Sequence, residues 1–107
     1  MGMYLCYTSF PLEQTFHSEP NVNMGQITQK LIPMGLALKC QAEMESLTIG
    51  GLSLGFGLET NSFRHGFFQE TVVEYKMVTS DGSILTVSPK SDPELFYAIP
   101  WSHVSYI

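Results

Sequence analysis

The chain has 107 residues, of which 44% are hydrophobic and only 14% charged, and its net charge is −5. This length suits one small domain or a piece of a larger one, and so low a charged fraction is typical of a piece packed among neighbours. The five lysines and arginines are scattered, which excludes a cationic stripe, so we predict no nucleic-acid partner. No apolar run is long enough to cross a bilayer, and we predict no transmembrane segment in this chain.

The cysteines and histidines argue against a disulfide framework and against a metal site. Cys6 and Cys40 make no metal motif, and two free thiols fit them better than the alternative of one disulfide. His17, His65 and His103 are far apart and lack the spacing of metal ligands. We therefore predict no metal site.

The first part of the chain predicts one amphipathic helix after an irregular start. Residues 1–18 show no clear periodicity and contain Pro11, which predicts irregular structure. Apolar residues then recur at helical spacing on one face, at Met24, Ile27, Leu31 and Met34. Asn23 and Gln26 form a capping-box pattern at the start of this helix, and Pro33 and Gly35 are helix breakers at its end.

The remainder predicts strands and one further helix. Residues 36–40 predict a short strand, and residues 41–46 an acidic loop. Residues 71–79 alternate as a strand does, with Val73, Tyr75 and Met77 on one face and Glu74 and Lys76 on the other. Asp81-Gly82 predicts a tight hairpin turn into a returning strand at residues 84–87. Asp92-Pro93-Glu94 is typical of a helix start, and this helix ends before Pro100. The predicted fold class is α+β.

The segment TIGGLSLGFG, residues 48–57, contains four glycines and argues against a regular element. It fails the phosphate-loop pattern because Phe56 stands where that pattern needs lysine, and it lacks the third glycine of the dinucleotide pattern. Two interpretations stay open from the residues alone. The glycines form either a backbone cradle for a flat or phosphorylated ligand, or a bend where two elements pack backbone to backbone.

Two other candidates carry less weight. Ser53 lies in a G-x-S-x-G pattern, but too little chain follows it for a hydrolase of that fold. We interpret Glu59 and Arg64 as a surface pair rather than as functional groups.

Five segments resemble the FAD-binding (PCMH-type) domain of the vanillyl-alcohol-oxidase-type flavoproteins, and within them the Δ24-sterol reductases. The segments are EPNVNMGQ at 19–26, LTIGGL at 47–52, GFGLE at 55–59, RHGFF at 64–68 and DPELFYAIPWS at 92–102. The first, the second and the last are typical of the reductases rather than of the oxidases at large. The resemblance implies the second subdomain of the FAD-binding domain, an antiparallel sheet with short flanking helices.

The resemblance also implies a cofactor and favours the cradle interpretation of the glycines. The implied FAD-contacting residues are Thr48, Ile49, Gly50, Gly51, Leu52, Ser53, Leu54, Gly55, Phe56, Gly57, Leu58, Glu59 and Thr60. Their N–H groups would contact the pyrophosphate of FAD, and Gly66 would shape the same side of the FAD site. The implied chemistry is NADPH-driven reduction of FAD and hydride delivery to the side-chain double bond of a Δ24 sterol. No residue is identified as the proton donor or the nicotinamide contact.

The limits of the resemblance predict a partial domain. Residues 1–18 and 103–107 do not resemble the family, so we expect divergent ends around a partial FAD-binding domain at 19–102. Other family parts are not visible, including the first pyrophosphate loop, the membrane anchor and the domain that covers the sterol. We therefore expect a fragment that is inactive by itself, from a family located at the endoplasmic reticulum membrane. The alternatives are another FAD-dependent oxidoreductase of the superfamily and a non-catalytic fragment that binds no FAD.

Overall fold

An antiparallel sheet with short helices organises the chain, which confirms the α+β class. The computed structural model describes residues 2–9, 12–55 and 57–102, with side chains from Gln14 onward. The strands are β1 Gly2–Ser9, β2 Leu12–Ser18, β3 Ala37–Leu38, β4 Val72–Val78 and β5 Ile84–Val87. The helices are α1 Met24–Leu31, α2 Ile49–Leu54, α3 Ser62–His65 and α4 Pro93–Ala98, with 3-10 turns at Ile32–Met34, Phe68–Thr71 and Ile99–Trp101.

Strand β1 lies in the middle of the sheet. The strand order is β2-β1-β4-β5, and the short β3 also pairs with β1. Every pairing is antiparallel. On one edge β1 pairs with β2 from Met3↔Ser18 to Ser9↔Leu12. On its other edge the first half of β1 meets β4 and the second half meets β3.

The prediction of irregular structure for residues 1–18 is wrong, because β1 and β2 form a hairpin there. Neither strand alternates apolar and polar residues, so period-two patterning gives no signal. Backbone hydrogen bonds to β2, β3 and β4 decide the conformation of β1, which is a tertiary effect that local sequence does not report. Pro11 falls between the two strands and outside the described residues.

Helix α1 follows its predicted signals. The Asn23 side chain accepts from the backbone N–H of Gln26 at 2.9 Å, and the Gln26 side chain accepts from the N–H of Asn23 at 3.0 Å, which completes the capping box. Gly35 ends the element in the left-handed conformation, with φ of 72°. Met34 is 58% exposed rather than on the buried face. The 3-10 turn that starts at Ile32 has fewer residues per turn than α-helix, so Met34 rotates away from the core.

Strand β4 and its hairpin also form where predicted, with one correction in the facing of side chains. Tyr4 pairs with Glu74 and Leu5 pairs with Val72, so Val73 is the extra residue of a β-bulge. The bulge shifts the alternation. As a result Val73 is 39% exposed, whereas Tyr75 on its predicted face is fully buried. The turn into β5 is closed by a bond from Thr79 N–H to the Ser83 carbonyl at 2.8 Å.

One cluster of buried apolar side chains joins the sheet to the helices. Its members include Tyr75, Met77 and Val87 from the sheet, Met24, Ile27 and Leu31 from α1, Ile49, Leu52 and Leu54 from α2, and Phe96 and Ile99 from the last helical region. The rings of Tyr75 and Phe96 lie 5.3 Å apart.

Helix α4 begins as predicted, with the Asp92 side chain accepting from the N–H of Leu95 at 3.1 Å. Among the described helices, none has the length and apolar character that crossing a membrane requires.

Candidate functional site

The glycine-rich segment forms helix α2, contrary to the expectation that its glycines exclude a regular element. Thr48 caps the helix, because its hydroxyl accepts from the N–H of Gly51 at 3.3 Å. The apolar residues of the helix supply its core contacts, with Ile49, Leu52 and Leu54 all buried. Tertiary packing of this apolar face explains why a helix with two internal glycines forms.

Two of the four glycines are positions where the chain approaches itself. At Gly50 a Cβ atom would lie 2.8 Å from the Cβ of Pro20 and 3.0 Å from its carbonyl oxygen. The Gly50 N–H also donates to that carbonyl at 2.8 Å. At Gly57 a Cβ atom would clash with the Cβ of Phe68, and the Gly57 carbonyl accepts from the Phe68 N–H at 2.8 Å. The backbone-to-backbone interpretation therefore accounts for Gly50 and Gly57.

The N-terminal amides of α2 all have partners within the chain. The N–H of Ile49 donates to the Val22 carbonyl at 2.9 Å, that of Gly50 to the Pro20 carbonyl, and that of Gly51 to the Thr48 hydroxyl. The expected contact between these N–H groups and a pyrophosphate would require those bonds to break. The start of α2 thus offers no spare backbone donor to an anion.

A groove of about 420 Å³ opens on the exposed side of α2. It is lined by Ser46, Leu47, Thr48, Gly51, Leu52 and Glu59. Gly51 is exposed there, and a Cβ atom on it would meet only the Thr48 hydroxyl, at 3.2 Å. At this glycine, therefore, the space in front of the backbone is open rather than filled by the chain.

The structure divides the sequence-predicted residues into three groups. Four of them line the groove, namely Thr48, Gly51, Leu52 and Glu59. Four others are buried in or behind the helix, namely Ile49, Gly50, Ser53 and Leu54. The rest lie elsewhere: Gly55 and Gly57 after the helix, Leu58 and Thr60 on the surface, and Phe56 outside the described residues. Gly66 has φ of +78° and packs against Glu70 rather than lining the groove.

Ser46, Leu47 and Gln69 are neighbours of the candidate site that the sequence did not single out. Ser46 and Leu47 line the groove directly before the helix cap. Gln69 is 5% exposed, and its Oε1 accepts from the N–H of Gly57 at 3.2 Å. Its Nε2 has no hydrogen-bond partner among the described residues. No local signal in the sequence identifies Gln69, because its partner lies 12 residues earlier.

The charge of the groove is negative. Glu59 is its single ionisable lining residue, and no lysine or arginine lines it in the part of the chain that the structure describes.

Nearby, Cys40 is a buried free thiol whose Sγ lies 3.7 Å from the Ser62 hydroxyl. Burial raises the pKa of Cys40, the Ser62 hydrogen bond lowers it, and the charge of Glu59 raises it further.

The groove fits part of the implied cofactor. A flat ring can approach the backbone at Gly51, where a side chain would otherwise fill the space, and Leu52 offers it an apolar contact. The hydroxyls of Ser46 and Thr48 can bond to polar groups on such a ligand. This observation fits an FAD-binding role for the exposed face of α2.

Comparison with known proteins places the chain in a family. The model of an FAD binding domain matches residues 9–88. The chain is 48% identical over 85 residues to a Delta(24)-sterol reductase of Pisum sativum, with 78% of this chain and 15% of that protein covered. It is 41% identical over 90 residues to the Homo sapiens Delta(24)-sterol reductase and 42% identical over 91 residues to the Arabidopsis thaliana one, with 84% of this chain covered in both.

These matches cover only a small part of the related proteins. The human and Arabidopsis alignments span 17% and 16% of those reductases, respectively. No solved structure matches the chain. The sequence matches are nevertheless sufficient to assign the family. The chain belongs to the FAD-binding domain family and is an FAD-binding region related to the Δ24-sterol reductases.

Proposed function

We propose that this chain supplies one wall of the FAD site in an enzyme that reduces the C24 double bond of a sterol side chain, with NADPH as electron donor. In this proposal residues 19–102 are the second subdomain of a PCMH-type FAD-binding domain. Similarity to three Delta(24)-sterol reductases supports the substrate class. Location at the endoplasmic reticulum membrane is a further expectation of the same proposal.

The observation that carries the proposal is the exposed Gly51 beside the groove. Within a family defined by FAD binding, the groove is the place where the glycine-rich segment leaves its backbone open. Gly50 and Gly57 have their space filled by Pro20 and Phe68, so they shape the wall without touching a ligand. The contact residues in this proposal are Thr48, Gly51 and Leu52.

The residues of this wall bind and orient the cofactor. The backbone at Gly51 and the side chain of Leu52 would hold a flat ring, while Thr48 keeps the helix start fixed through its cap. When bound, FAD supplies the hydride chemistry of such an enzyme. The buried residues Ile49 and Leu54 exclude water from behind the wall.

The test is a flavin titration of the 107-residue chain, with Gly51→Leu compared to Ala37→Leu. Leucine is a good helix former and would fill the groove at Gly51, whereas Ala37 is exposed on β3 and outside the groove. We expect saturable quenching of FAD fluorescence that weakens at least about tenfold in Gly51→Leu and is unchanged in Ala37→Leu. Equal binding by both variants, with circular dichroism showing both folded, would contradict the proposal.

A further inference from the structure

We infer that the groove beside α2 takes the uncharged, hydroxyl-bearing part of the flavin, meaning the ring and its polyol chain, and rejects phosphate groups. This inference rests on the proposed function, because it assigns a part of FAD to a site proposed to bind FAD. It differs from the expectation drawn from family resemblance, in which the N–H groups of the same segment meet the pyrophosphate.

The first argument is the charge of the lining. Glu59 contributes a carboxylate to the groove, and the two other polar side chains that line it are the neutral hydroxyls of Ser46 and Thr48. A carboxylate accepts hydrogen bonds from sugar-type hydroxyls but repels a phosphate. The basic residue nearest to Glu59 in sequence, Arg64, is on α3 and does not line the groove.

The second argument is the use of the backbone donors. A helix start binds phosphate through N–H groups that have no partner in the helix. In α2 the N–H groups of Ile49, Gly50 and Gly51 donate to Val22, Pro20 and Thr48, respectively. A phosphate placed there would meet a carboxylate without gaining a backbone donor in exchange.

The third argument is the shape of the apolar part. Leu47 and Leu52 line the groove together with the open backbone at Gly51. An aromatic ring gains contact with these side chains, and its polyol substituent can bond to Glu59 and the hydroxyls. One groove therefore suits both portions of riboflavin.

The experiment compares ligands that share or lack the charged groups. Riboflavin, FMN and FAD are titrated by fluorescence quenching, and ADP and inorganic pyrophosphate compete against bound riboflavin. We expect the three flavins to bind with dissociation constants within about threefold of one another, and no displacement by ADP or pyrophosphate at concentrations that saturate a phosphate site.

Two variants localise the effect. Glu59→Lys reverses the groove charge and should improve FMN and FAD binding relative to riboflavin by about tenfold. Glu43→Lys makes the same net charge change at an exposed loop residue that does not line the groove, so its flavin preference should stay that of the parent chain.

The outcomes separate this inference from the proposed function. FAD binding at least tenfold tighter than riboflavin binding, or displacement by pyrophosphate, would overturn the inference and leave the FAD site standing. Identical behaviour of the Glu59 and Glu43 variants would also overturn it. If no flavin binds at any concentration, the proposed function fails and this inference fails with it.

Discussion

Adjacent glycines in helix α2 should respond to alanine substitution with opposite signs. Replacing an internal helical glycine by alanine normally stabilises a protein by about 0.5–1 kcal/mol, since alanine loses less backbone entropy on folding. We expect Gly51→Ala to realise part of this gain, because its new Cβ meets only the Thr48 hydroxyl, at 3.2 Å. Gly50→Ala should instead destabilise the fold.

The cost at Gly50 comes from Pro20. The new methyl group would lie 2.8 Å from the Pro20 Cβ and 3.0 Å from its backbone oxygen, which cannot move as a flexible side chain does. Overpacking of this kind costs about 1–3 kcal/mol, which outweighs the helix gain. We therefore expect Gly50→Ala to be about 1–3 kcal/mol less stable than Gly51→Ala, a difference of roughly 4–8 °C in Tm for each kcal/mol in a domain of this size.

Urea unfolding measured by fluorescence tests this prediction directly. Trp101 is the only tryptophan of the chain, so its emission reports on one defined place in the fold. Far-ultraviolet circular dichroism should give the same midpoint if unfolding is two-state. Equal stability of the two variants would mean that α2 does not pack on Pro20, and the exposed face assigned to Gly51 would lose its support.

Two further predictions concern buried polar groups. Gln69→Leu should lower the free energy of unfolding by about 1 kcal/mol, because leaving the buried Gly57 N–H without its acceptor costs more than is gained by removing the unpaired Nε2 donor, and hydrogen exchange at the Gly57 amide should become faster. Continued protection of that amide by NMR would contradict this bond. Tyr75→Phe should raise the free energy of unfolding by about 1 kcal/mol at neutral pH, because the buried Tyr75 hydroxyl has no partner within the described residues. Burial raises the pKa of Tyr75 above its ordinary value of 10.0, so above about pH 10 the unfolded chain loses the phenol proton while the folded chain keeps it. The free energy of unfolding of the parent chain should therefore be constant below about pH 10 and fall above it, whereas that of Tyr75→Phe should fall less. A parallel decline of both proteins in alkaline unfolding curves would show that Tyr75 does not ionise on unfolding.

Features that depend on residues three or four apart were predictable from the sequence. The capping box of Asn23 and Gln26, the cap at Asp92 and the turn at Gly82 all form as their local patterns indicate. Each involves a few neighbouring backbone groups whose geometry the residue types nearly determine. Family membership was also readable from short motifs, and the match to an FAD binding domain confirms it.

Features that depend on distant segments were not predictable. The β1–β2 hairpin lacks alternation and exists through pairing with strands far along the chain. The bulge at Val73 arises from its register with β1, and the sequence of β4 alone assigns that side chain to the wrong face.

The candidate site shows the same division between local sequence and tertiary structure. The sequence by itself indicated that something approaches the backbone within residues 48–57, because the four glycines there leave room that side chains would fill. Only the tertiary structure decided what approaches each one: Pro20 at Gly50, Phe68 at Gly57, and open groove at Gly51. These glycines are identical in chemistry, so their different roles come from the packing of segments that are distant in sequence, which no pattern within the glycine segment contains.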